Sequence, residues 1–225
     1  MKKHTFICDL LIFCVIILVL VLPPLLSSFI FTELNTIEYN RFPFQQFFFF
    51  ITIFTVYFFY HHKDSSLNSL KMIFYRIIFP STFTFCILFC LSLFVTFLSK
   101  ILPQQIQNFA LRDLKLEKPD NFITCINCLL TFILGAFYEE LLYRFYLSDA
   151  INTLFNKKDN KSIKIIVEIL VTVIFSLSHL YLGFFALVNS ALAHIILRKT
   201  YLKYKNIYAG IIAHFFYNLL TLILL

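Results

Sequence analysis

Long apolar runs separated by short polar segments set the pattern of this chain. The runs cover about residues 6–30, 43–60, 73–98, 121–148, 164–182, 184–198 and 206–225. Most are close to the ~20 residues that carry an α-helix through a bilayer. The segment 99–120 is polar and holds Pro103 and Pro119, so it reads as a loop with a short surface helix. Residues 152–164 form a basic, Asn-rich connection, and Gly183 and the segment 199–206 punctuate the last three runs. No internal repeat and no low-complexity linker interrupts the pattern. The expected fold is all-α: a polytopic membrane protein of about seven transmembrane helices, forming one integral-membrane domain over 1–225.

Composition agrees with that reading. Of 225 residues, 60% are hydrophobic and only 14% charged, which excludes an ordinary soluble domain. Lys2 and Lys3 before an apolar run could open a signal peptide, but the run 10–22 is long and no small-x-small cleavage site follows Pro23-Pro24. The first run therefore reads as an uncleaved span. The net charge of +7 would suit nucleic acid, yet the basic residues fall in short loops between spans. With the N-terminus in the cytoplasm, inner segments (2–3, 63–76, 157–164 and 198–205) hold 13 Lys and Arg, and outer segments hold 5. That bias predicts an N-terminus inside, in what reads as a bacterial cytoplasmic membrane. Cys125-Ile-Asn-Cys128 is half of a zinc or redox motif with no second pair, so the six cysteines read as small apolar residues.

Polar groups inside the apolar runs change the picture, because charge in lipid is costly and is usually tied to function. The fourth run ends in Phe137-Tyr138-Glu139-Glu140-Leu141-Leu142-Tyr143-Arg144. Glu140 and Arg144, spaced i,i+4, share a helix face and can pair; the bland reading is an ion pair that fixes packing. Glu139 points about 100° away and keeps no sequence-adjacent partner. Phe175 lies one turn before His179, and His214 and Asn218 lie at i,i+4 on one face. His194 and Asn189 lack a spaced companion and read as interhelical glue, and Glu168 reads as an interfacial carboxylate beside Lys164.

Glu139, His179, His214 and Asn218, on three helices, satisfy one another most economically around a wet cavity. A carboxylate beside a neutral imidazole can hold and activate water. A second imidazole and an amide can donate to the oxygen of a tetrahedral intermediate. Carbonyl hydrolysis by activated water fits the set, and no Ser or Cys occupies a nucleophile setting.

Glu-Glu-x-x-x-Arg, Phe-x-x-x-His and His-x-x-x-Asn, in that order on successive apolar helices, resemble the CPBP family, the CAAX-protease and bacteriocin-processing or Abi family. The likeness covers about 121–225, whereas 1–118 match only as generic spans. It implies an intramembrane endopeptidase of glutamic type, resembling CAAX prenyl proteases. Glu139 and His179 would activate water, and His214 and Asn218 would stabilise the oxyanion. Glu140, Arg144 and Phe175 would support them. The substrate would be a peptide or protein, prenylated or otherwise membrane-bound, and no nucleic acid is involved. Phe145 stands where the family often has Gly, and His194 has no counterpart.

Three alternatives remain at this point. One is a catalytically silent relative serving as scaffold or bacteriocin-immunity protein. Another is an ion- or proton-coupled carrier, which the three glycines and absent repeat disfavour. The third concerns mechanism: no cofactor is expected, but Glu139, His179 and His214 would also make a zinc set. The missing His-Glu-x-x-His helix, and the amide of Asn218, weigh against zinc, although the family was long described as metal-dependent. One mismatch stands out. Measured from Ser148 and from Lys164, Glu139 and His179 lie about 14 Å and about 22 Å deep at ~1.5 Å per residue.

Overall fold

In a computed structural model, residues 6–30, 39–60, 73–101, 118–154 and 160–224 are described. They form seven helices: α1 over 6–30, α2 Phe44–Tyr60, α3 Phe74–Ile101, α4 Phe122–Leu154, α5 Lys161–Leu177, α6 Phe184–Tyr204 and α7 Ile207–Leu224. No strand occurs among the described residues. The protein is an all-α integral membrane protein. The long apolar stretches of α1, α3 and α4 are each sufficient to cross a bilayer, and α2 and α7 are shorter apolar helices. The surface helix expected within 99–120 falls largely on residues outside the described ones.

Local chemistry explains where several helices start and stop. Asn121 and Thr124 form a reciprocal capping box at the start of α4: each side chain accepts from the other's backbone N–H, at 3.0 and 3.1 Å. Asn160 caps α5 by accepting from the N–H groups of Ser162 and Ile163. Gly183 has φ 101°, a left-handed turn that only glycine enters freely, and it separates the short 3-10 turn Leu180–Leu182 from α6. Lys205 closes α6 at φ 52°.

Three helices contain a π-helical stretch: Ile17–Val21 in α1, Phe74–Ile78 in α3 and Glu140–Leu147 in α4. The first two directly precede Pro23-Pro24 and Pro80. Proline lacks an N–H and its ring crowds the carbonyl one turn back, so a widened turn just before it relieves both faults. Residues 122–154 contain no proline, and the third stretch carries the Glu-Glu-x-x-x-Arg motif.

Apolar packing forms two main blocks beside a small cluster of Tyr39, Cys128 and Leu222. Ile16 and Leu20 of α1, Ile53 of α2, Leu141, Leu142 and Leu147 of α4, and Val171 and Phe175 of α5 make the larger. Leu88 of α3, Leu197 of α6 and Ala213 and Tyr217 of α7 make the smaller. Helix α7 serves both, since Ile207 and Ile211 belong to the larger block. Between them lie the buried polar groups of α4–α7.

Candidate active site

Helix α4 brings Glu139 and Glu140 to the junction of its α and π stretches. Glu140 and Arg144 are fully buried, whereas Glu139 and His179 keep 18% and 22% of their side chains exposed. The accessible carboxylate is thus Glu139. Arg144 Nε lies 3.4 Å from Glu140 Oε1, and Arg144 Nη1 donates to the Glu139 carbonyl at 3.4 Å. Its guanidinium carbon sits 4.2 Å above the Phe175 ring. That cation–π contact compensates part of the buried charge.

His179 lies just past the end of α5, which stops at Leu177 rather than reaching 182. Ser178 Oγ donates to the Phe175 carbonyl at 2.7 Å, and His179 Nδ1 donates to the same oxygen at 2.9 Å. A carbonyl only accepts, so Nδ1 carries a proton and Nε2 is the ring nitrogen left facing Glu139. That Nε2 lies 4.0 Å from Glu139 Oε2.

His214, on α7, touches both glutamates. Its Nδ1 donates to Glu140 Oε1 at 2.9 Å, and its Nε2 lies 3.7 Å from Glu139 Oε2. Glu139 Oε2 is buried and without a hydrogen-bond partner among the described residues, flanked by two imidazole nitrogens just beyond direct bonding distance. Gaps of 3.7 and 4.0 Å suit a small molecule bonded to both sides better than a direct bond. Asn218 is half-buried one turn beyond His214, and no hydrogen bond joins it to another described residue.

The depth mismatch narrows in the helices themselves. Helix α4 continues six residues past Ser148 to Leu154, and α5 begins at Lys161. From those ends Glu139 and His179 rise about 22 and about 27 Å at ~1.5 Å per residue, and the two side chains meet across the remaining difference.

Of the remaining polar groups, Glu168 finds a different partner from the one expected, whereas Asn189 joins two helices as expected. Glu168 does not pair with Lys164. Its carboxylate binds Arg198 of α6, with Nε 3.0 Å from both oxygens and Nη2 2.6 Å from Oε1. Asn189 donates to the Tyr217 hydroxyl at 2.6 Å, a link between α6 and α7. His194 is buried against the Phe175 ring, 5.2 Å between centroids, with neither ring nitrogen hydrogen-bonded among the described residues. Two contributors escaped the sequence reading. Arg198 was counted as a loop cation, and its i,i+4 spacing from His194 was the available signal. Gly210 lies one turn before His214; a Cβ there would stand 2.7 Å from Glu140 Oε2. Among the described residues, no group of three His, Cys, Asp or Glu side chains is placed to hold a metal ion.

The family model described as type II CAAX prenyl endopeptidase Rce1-like matches residues 121–220. That region runs from the cap of α4 into α7, and its similarity to the Rce1-like model agrees with the CPBP resemblance of the three motifs. The match supports a protease-like role in the membrane. No curated protein and no solved structure matches the chain.

Proposed function

We propose that this protein is an intramembrane endopeptidase that hydrolyses a peptide bond with a water molecule held between Glu139 and His179. The observation that carries the reading is the position of Glu139 Oε2: buried, unbonded, and 4.0 Å from the His179 nitrogen left facing it. With that ring neutral, two acceptors at that separation accept both protons of one water, which leaves its own lone pairs directed away as the nucleophile. Glu139 takes the proton as the oxygen attacks the carbonyl, then returns it to the leaving amine.

His214 and Asn218 stabilise the oxyanion. His214 Nδ1 already donates to Glu140, so its Nε2 serves as oxyanion donor when it too carries a proton. The Glu140 carboxylate, beside the ring, compensates the charge of that form. Asn218 supplies a neutral second donor from the same face of α7. The roles of Glu140, Arg144 and Phe175 are to hold this set. The substrate is a membrane-bound peptide or protein, with a prenylated CAAX chain as the class the family suggests. The seven helices form one domain that crosses a bacterial cytoplasmic membrane seven times, with the N-terminus inside.

The test is cleavage of a farnesylated CAAX peptide by the purified protein before and after dialysis against a strong chelator, with metal content measured. Water activation by Glu139 predicts cleavage that survives chelation, and a loss of at least ~10²-fold in Glu139→Gln. Activity lost with a stoichiometric zinc ion and restored with it would make Glu139 a ligand. A folded wild type inert towards all peptides offered would favour a scaffold or immunity role.

A further inference from the structure

The π stretch at Glu140–Leu147 has no proline to account for it. Within an apolar interior every main-chain carbonyl needs a donor, and a change of helical register alters which N–H supplies it. The Arg144 carbonyl, inside this stretch, accepts from Arg198 Nη1 on α6. Arg198 is itself locked. Its Nε and Nη2 grip the Glu168 carboxylate of α5 with three short bonds, and Asp149 of α4 stands 3.5 Å from Nη2. One guanidinium, 6% exposed, thus ties α4, α5 and α6 together at a single peptide group.

That peptide group belongs to Arg144, whose own side chain reaches Glu140 Oε1 and the Glu139 carbonyl. Glu140 Oε1 in turn holds His214. We propose that Glu168 and Arg198 are positioning residues: through the Arg144 carbonyl they fix the π register of 140–147 and so the placement of Glu139 and Glu140 against the two histidines. The kinetic consequence rests on the endopeptidase reading, whereas the geometric one does not. An arginine is required at 198 because its planar fork serves a carboxylate and a carbonyl at once, which the single ammonium of lysine does poorly. Glu168 is required because it holds that fork in the orientation that reaches Arg144.

The experiment uses full-length protein labelled with 15N-histidine, as wild type, Arg198→Lys and Glu168→Gln, each reconstituted in nanodiscs. Melting temperature, ring-nitrogen spectra of His179 and His214, and kcat and KM on a farnesylated CAAX peptide are compared. Positioning predicts shifted His214 ring signals in both variants. It also predicts a kcat lowered by about 10²-fold, the typical cost of a misplacement near 1 Å, with KM changed less than about twofold. Variants with lower melting temperature but wild-type ring signals, and wild-type kcat per folded molecule, would reduce the pair to ordinary packing and overturn the proposal. If Arg198→Lys does not fold, Glu168→Gln, which keeps the arginine but weakens the grip that aims it at the Arg144 carbonyl, decides alone. Should wild type cleave no peptide, the endopeptidase reading fails, while the ring spectra still settle whether the pair positions the site.

Discussion

Glu140 meets three constraints with one carboxylate. Oε1 faces both Arg144 and His214, and Oε2 faces the backbone of α7 at Gly210. Spacing alone paired Glu140 with Arg144; the bond to His214 adds a second duty that spacing on one helix cannot reveal. Glu140→Ala should therefore lose both stability and activity. Stranding a buried guanidinium costs about 3–5 kcal/mol, and the freed imidazole no longer has a fixed Nδ1 partner. Glu139→Gln, at a partly exposed site, should keep the wild-type yield and melting temperature while losing turnover. A stable but inactive Glu140→Ala would show that Arg144 is held by Phe175 and the Glu139 carbonyl alone. Gly210 gives a second, finer test. An added methyl must displace Glu140 Oε2, which is buried and tethered through its sister oxygen. Gly210→Ala should cost about 1–3 kcal/mol, as overpacking of a filled core does. It should also lower turnover by more than the loss of folded protein accounts for. Thermal melts set beside active-site-normalised rates separate the two effects.

At the scale of helices, what was legible and what was not divides along physical lines. Glu139, His179, His214 and Asn218 stood out because polar side chains in an apolar run demand partners, and the motifs ordered them on successive elements. The ends of α2, α3 and α7 came within a few residues of the run boundaries for the same reason. Helix α5 did not. Hydropathy continues to residue 182, but Ser178 and His179 hydrogen-bond the Phe175 carbonyl and stop the helix at Leu177. The α4 terminus erred in the opposite direction: Asp149 and Asn152 read as leaving the membrane, yet the helix persists to Leu154. The π stretches carry no periodic signal of their own, and only the two before prolines had a visible cause. Arg198 was illegible for a related reason. Charge counting places a cation near a boundary, but does not show that Glu168 and the Arg144 carbonyl, both distant in sequence, converge on it.

The whole molecule sets the site between two apolar blocks. The α1–α2 side covers the back of α4, α3 supports α6 and α7, and residues 121–220 are the part that matches the Rce1-like model. Orientation across the membrane then decides which substrates reach Glu139. The proposed orientation, which rests on the charge bias of 13 inner to 5 outer Lys and Arg, would put the N-terminus, the α4–α5 connection and the α6–α7 turn in the cytoplasm. Arg198, Lys199, Lys203 and Lys205 cluster at the end of α6, and Lys161 and Lys164 at the start of α5, so these two ends form one basic rim. Seven crossings from an inner N-terminus leave Leu225 outside. A reporter fused after Leu225 that works only beyond the cytoplasm should be active, and one that works only in the cytoplasm should be silent. A fusion in the 155–159 connection should give the reverse. Cysteine labelling supplies the same answer without a fusion: a cysteine introduced at 157 should react with a membrane-impermeant maleimide only after the cells are opened. Cytoplasmic signals from both fusions would mean that one helix fails to cross. The stretch between 161 and 204 is where that failure would fall, because α5 and α6 qualify neither as long apolar spans nor as the shorter apolar helices that α2 and α7 are.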